Sequence, residues 1–185
     1  MRKLLLSLAL ATAAAPLAAQ SMAQANAADP MPASFRQVQL DGLKLQRKTL
    51  LAMADSMPER LYQQHATPIQ RTFGEQIMHA AGTAAFIAGG FNGGARVRPT
   101  LPDSTAAANT RKGLDAYINA AYDFCEARLA AQSPADRAAA VNLFGLQTQG
   151  WKIWEEIHEH TFWTAGQVVA NFRMNGMAPP GFGFF

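Results

Sequence analysis

One cysteine, Cys125, is all the chain has. A single thiol closes no disulfide within the chain, so stability has to come from packing. Charge is nearly balanced, at 16 Lys and Arg against 13 Asp and Glu. Arg96-Val97-Arg98 is a local loop feature and not a basic patch interleaved with aromatics, so no nucleic-acid partner is expected. No strand alternation of useful length is visible, and no internal repeat. The apolar run Leu4 to Leu17 is broken by Ser7, Thr12 and Pro16. It falls short of the roughly 20 residues that a membrane span takes.

What is present at the N-terminus reads as a secretory signal peptide over residues 1–25. Met1-Arg2-Lys3 gives the positive start, and the Leu4 to Leu17 run follows it. Ala23-Gln24-Ala25 and Ala25-Asn26-Ala27 offer small-residue cleavage sites. No cysteine sits just after either site, so no lipid anchor is expected there. The expectation is a periplasmic or secreted protein with no stable membrane insertion after cleavage. Cleavage also removes Arg2 and Lys3, which brings the mature chain close to neutrality. Residues 26–33 are rich in Ala, Pro, Asp and Met and read as a flexible leader. The remainder is one domain's worth of chain, long enough for a proper core.

The pattern beyond the leader is helical. Leu43, Leu50 and Met57 recur every seven residues, with Leu40, Met53 and Ala54 on the same side, which predicts a first helix over 34–57. Thr72 and Glu75 have capping-box spacing and start a second helix over 72–87. Gly89, Gly90, Gly93 and Gly94 break it, and a long connection containing Pro99 and Pro102 follows. Connections beyond about 12 to 15 residues are uncommon, so this one is read as a crossover or as a rim of the site. A third helix over 110–131 ends before Ser133-Pro134. Leu114, Ile118, Ala121, Cys125 and Leu129 form its apolar stripe, which makes Cys125 a core thiol and not a nucleophile. Residues 135–145 read as a short helix and a turn at Gly145. A fourth helix is expected over 146–175, capped by Gly176 and stopped by Pro179-Pro180. The expected class is all-α, a four-helix bundle over 34–180, with the long connection between the second and third helices. Residues 181–185 are an apolar tail that can fold back on the bundle.

Two histidines stand on inward faces. At one hundred degrees per residue, Glu156, Thr164, Gln167 and Asn171 share a direction with His160. His158 points the other way, with Trp151, Trp154 and Ala165, and reads as a packed or surface histidine. On the second helix, Glu75, Gln76, Gly82, Thr83 and Phe86 share the face of His79. Glu75 sits one turn before His79, where a carboxylate can orient an imidazole. Its part in the helix cap is the simpler explanation.

The run His160-Thr161-Phe162-Trp163-Thr164-Ala165-Gly166-Gln167 leads into Asn171-Phe172-Arg173-Met174-Asn175-Gly176 and then Pro179-Pro180. Thr72-Phe73-Gly74-Glu75-Gln76-Ile77-Met78-His79 stands upstream. Together, over about residues 38–180, they resemble the DinB-like family of four-helix bundles, whose members often hold a metal ion between three histidines. The resemblance implies His79 and His160 as ligands, with a third histidine where this chain has Thr164. It also implies Gly166 as a point of close helix approach. Its characterised members include metal-dependent hydrolases and thiol transferases, most of them cytoplasmic.

Three arrangements stay open. The metal is lost, and His79, His160, Thr164 and Gln167, with Glu75 nearby, form a polar pocket for a small molecule. Or a divalent transition metal (zinc, nickel, manganese or iron) is held with Glu156 in the third place, since Glu156 and His160 are one helical turn apart. Or the ion binds through two histidines and solvent, with Thr164 at most a poor, neutral donor. Two functions follow: a small-molecule-binding or structural module without metal, or a divalent-metal-dependent hydrolase or thiol transferase. A homodimer fits either, with the helix bearing Trp151, Trp154 and Trp163 as the candidate interface.

Overall fold

The computed structural model describes residues 34–181 and 183. The signal peptide and leader expected over 1–33 lie outside the described residues, as do Phe182, Phe184 and Phe185 of the tail. Gly183 lies against Leu45.

The described chain is mostly helical, with one small two-stranded sheet. Helix α1 spans Ser34–Ser56 and buries the predicted heptad face: Leu43, Leu50 and, just beyond the helix, Met57 are fully buried. Gln39 and Gln46 are buried on α1 as well. A 3-10 turn, Glu59–Leu61, follows.

Helix α2 spans Phe73–Ala88 and opens with the predicted capping box. The Thr72 hydroxyl accepts from the Glu75 amide at 3.2 Å, and the Glu75 carboxylate accepts from the Thr72 amide at 2.9 Å. Eleven of its sixteen residues are buried, so it is covered nearly all round and not on one stripe. Ala80, Ala81, Ala84, Ala85 and Ala88 are each fully buried. These short side chains let neighbouring helices come close.

The long connection turns back on α2. The Val97 amide donates to the Gly89 carbonyl at 2.9 Å. The short helix α3, Ser104–Ala107, then brings Ala108 against the first turn of α2. A Cβ on Gly74 would stand 2.2 Å from the Ala108 carbonyl oxygen, so this crossing requires glycine. Helix α4 spans Arg111–Ala131, capped by Thr110, with Cys125 fully buried as expected. Burial pushes the thiol well above its usual range, which removes it as a nucleophile.

Next comes a difference from expectation. After the short helix α5, Pro134–Ala138, the chain forms a hairpin of β1, Ala140–Leu143, and β2, Leu146–Gln149. The fourth long helix, α6, begins only at Ile153 and ends at Met174. The expected helical start at 146 and the expected lack of strands are therefore corrected. The cause is local. Phe144 and Gly145 both take positive φ (52° and 90°), the two-residue primed turn that suits a twisted ladder. Leu143 pairs with Leu146 across it, and the Asn142 side chain accepts from the Gly145 amide at 2.9 Å. At the far end, α6 closes as predicted at Gly176 (φ 67°). The Met177 amide returns to the Phe172 carbonyl and the Gly176 amide to that of Arg173, each at 3.0 Å. That is a Schellman closure.

The principal packings are α2 on α6, α2 on α4 and α1 on α4, with α1 meeting α6 and α2 more lightly. Helix α2 thus touches each of the other long helices. Trp154 is fully buried and belongs to the core, not to an interface, and its indole donates to the Gln132 side chain at 2.9 Å. Trp163 stands 75% exposed.

Candidate functional site

Helices α2 and α6 bring His79 and His160 together. Their ring centroids are 5.0 Å apart, and the planes meet edge to face at 72°. Each ring is half-buried. Burial pushes the His79 pKa down to about 4, helped by the positive charge of Arg71 and by His160. The His160 pKa is lowered by burial and again by Arg71. Both rings are therefore neutral at pH 7. The Thr83 hydroxyl lies 3.3 Å from Nδ1 of His79. Nδ1 of His160 is buried and has no hydrogen-bond partner.

The two rings line different hollows. His79 faces an open cleft of about 350 Å³, shared with Arg71, Glu75, Thr83 and Tyr117. His160 lines a more enclosed pocket of about 400 Å³ under the hairpin, with Leu143, Phe144, Leu146, Lys152 and Glu156. The imidazole pair stands between the two.

The other expected site residues are distributed around this pair. Glu75 lines the His79 cleft, but its carboxylate accepts from the Thr72 amide, which also holds its carboxyl below the usual range. It acts as a helix cap. Thr164 is buried on α6, and it lines neither hollow. Gln167 is exposed and lines neither. It ties α6 to α2 by accepting from the Gln76 side chain at 2.8 Å. Its backbone carbonyl accepts from Gln70 at 3.2 Å. Glu156 does share a pocket with His160. Gly166 departs from expectation: a Cβ there would meet nothing within 4 Å, so it mediates no close approach.

A catalytic ion usually takes three protein ligands. Among the described residues no three His, Cys, Asp or Glu side chains converge on one point. The donors present do not make up the three-histidine set implied by the resemblance, because a buried threonine stands in the third place.

His158 faces α1, away from His160. Its Nε2–H donates to the Gln39 side-chain oxygen at 2.7 Å, while Nδ1 accepts from the Gln46 side-chain nitrogen. The Gln46 oxygen in turn accepts from the Tyr122 hydroxyl at 3.2 Å. This buried chain fixes one neutral tautomer, and burial lowers the pKa to about 4. It agrees with His158 as a packed residue.

Scanned against models of protein families, curated proteins and solved structures, the chain matches none. No described helix is long and apolar enough to cross a membrane.

Sequence reasoning missed the hairpin residues Leu143, Phe144 and Leu146 as pocket walls. Asn142 and Gly145 around a two-residue turn were the available signal. It also missed Gln39 and Gln46, whose seven-residue spacing places both on one face of α1.

Proposed function

We propose that the chain is an exported four-helix bundle of the DinB-like type that has kept a histidine pair without the family's ion. It works as a small-molecule-binding module. The observation that carries this reading is the contact of two neutral imidazoles, one of which keeps a buried, unpartnered ring nitrogen. An unpaired buried polar atom is costly, and a ligand that bonds to it recovers that cost. Acid–base chemistry is less well supported. An effective general base has a pKa near the working pH, and His79 sits at about 4. The periplasmic or secreted location follows from the signal-peptide pattern of residues 1–25.

Histidine ring NMR on the purified, untagged protein tests the module. Ligand mixtures of small polar and amphiphilic compounds are expected to shift His160 and His79 signals without added metal. A screen in which neither ring responds rejects the reading.

A second reading keeps the divalent-metal-dependent hydrolase or thiol transferase, with His79, His160 and Glu156 as ligands. What favours it is Glu156 in the same pocket as His160. Metal analysis after supplementation with zinc, nickel, manganese and iron separates the two. The module reading expects no stoichiometric metal in the native chain and a new site in Thr164→His. Wild-type protein that binds as tightly as that variant would favour the metal reading instead. A homodimer through the exposed Trp163 face of α6 is compatible with either, and light scattering reads its mass.

A further inference from the structure

The pocket under the hairpin has a divided lining. A two-stranded hairpin has little stability of its own, and this one is anchored by the buried Val141 and Leu143. Its turn carries Phe144 at 69% exposure, flanked by Leu146 at 74%. Large apolar side chains gain nothing in water. Here both line the mouth of the pocket, beside Leu143 and Ile87, and Phe144 also stacks on Phe86 at 5.8 Å. The hollow measures about 400 Å³. That is the space of about a dozen waters at liquid density, more than a hydration site needs. It falls within the usual range for small-molecule pockets.

The other end is polar. Lys152, Glu156 and His160 follow one another at four-residue steps into α6 and line the same hollow. Described ion pairs join Arg47 to Asp123 and Glu126, and Arg111 to Asp55. Lys152 and Glu156 take part in none of them. The charges of the lining cancel. A head group of one sign would satisfy one of these two residues and leave the other beside a like charge.

We propose that this pocket takes a free α-amino acid with an apolar side chain. The side chain lies under the hairpin, among Ile87, Leu143, Phe144 and Leu146. The ammonium meets Glu156 and the carboxylate meets Lys152, beside the His160 ring at the polar end of the hollow. The proposal rests on the reading of His160 as a ligand-facing group and adds the ligand's class.

Titration of the purified chain with L-phenylalanine and L-leucine, followed by calorimetry and histidine NMR, is the test. Phenethylamine lacks the carboxylate and 3-phenylpropanoate lacks the ammonium. Each is expected to bind about tenfold more weakly than L-phenylalanine, the loss of one charged hydrogen bond. Glu156→Gln is expected to erase the preference over 3-phenylpropanoate, and Lys152→Met the preference over phenethylamine, each leaving the circular dichroism unchanged. Phe144→Ser, at an exposed position, is expected to weaken both amino acids together. If the single-charge analogues bind as tightly as the zwitterion, or if the amino acids do not bind, the proposal is overturned. Indole separates this failure from a failure of the module reading. A His160 shift with indole but not with amino acids leaves the module standing and removes the amino acid. Silence from both rings with every compound removes the module as well.

Discussion

Acid should unfold this protein partly through His158. In the folded state its ring is pinned as one neutral tautomer between Gln39 and Gln46, with a pKa of about 4. In the unfolded chain the same ring titrates near 6.5. The stabilisation is present in full above pH 6.5. Below that, the unfolded state takes up a proton that the folded state refuses, and stability falls until the pH reaches about 4. One such group contributes a slope of about 1.4 kcal/mol per pH unit across that window, or about 3 kcal/mol in all. His79 and His160 act in the same direction, but their rings are more open to solvent and contribute less. The assay is urea unfolding of wild type and His158→Gln at pH 7, 6, 5 and 4.5. Glutamine keeps one donor and one acceptor but does not titrate. The variant is expected to start less stable at pH 7 and to lose less on acidification. If both proteins lose stability in parallel between pH 6.5 and 4, the glutamine chain does not hold His158 neutral.

Gly42→Ala tests the same region sterically. Its Cβ would stand 2.5 Å from Cε1 of a ring already held on two sides, so crowding of about 1–3 kcal/mol outweighs the helix-propensity gain of about 1 kcal/mol. The urea midpoint should fall. Thr72→Ala removes the cap of α2 and should cost about 1 kcal/mol, read from the same midpoint, with no change in His158 titration. Gly145→Ala puts a side chain at φ 90° and should cost about 1–3 kcal/mol of backbone strain. Hydrogen exchange at the Leu146 amide is expected to speed up while α2 amides stay protected.

Much of the helical frame was legible because its signals are local and repeated. The seven-residue recurrence of Leu43, Leu50 and Met57, the Thr72–Glu75 pair and Gly176 each act over one or two turns, and each reappears in the structure. The meeting of His79 and His160 was also anticipated, from helix faces and from the family resemblance. The hairpin was not. Four residues per strand give too short an alternation to read, and β2 has no buried residue at all. Gly145 was recognised as a turn, but the pairing that it permits depends on Leu143 meeting Leu146. Thr164 and Gln167 share a helix face with His160, yet they line neither hollow beside the histidine pair. A direction on a helical wheel does not say how far along the helix a cavity extends.

The run of alanines through α2 has an effect on the rings themselves. A methyl group has no rotamers to change and no conformational freedom to surrender. Where these alanines meet a neighbouring helix, the separation is set by main-chain approach more than by flexible side chains. The spacing of the two imidazoles inherits that rigidity. An alanine of α2 enlarged where the helix packs on α6 would widen the gap between the rings without altering either one.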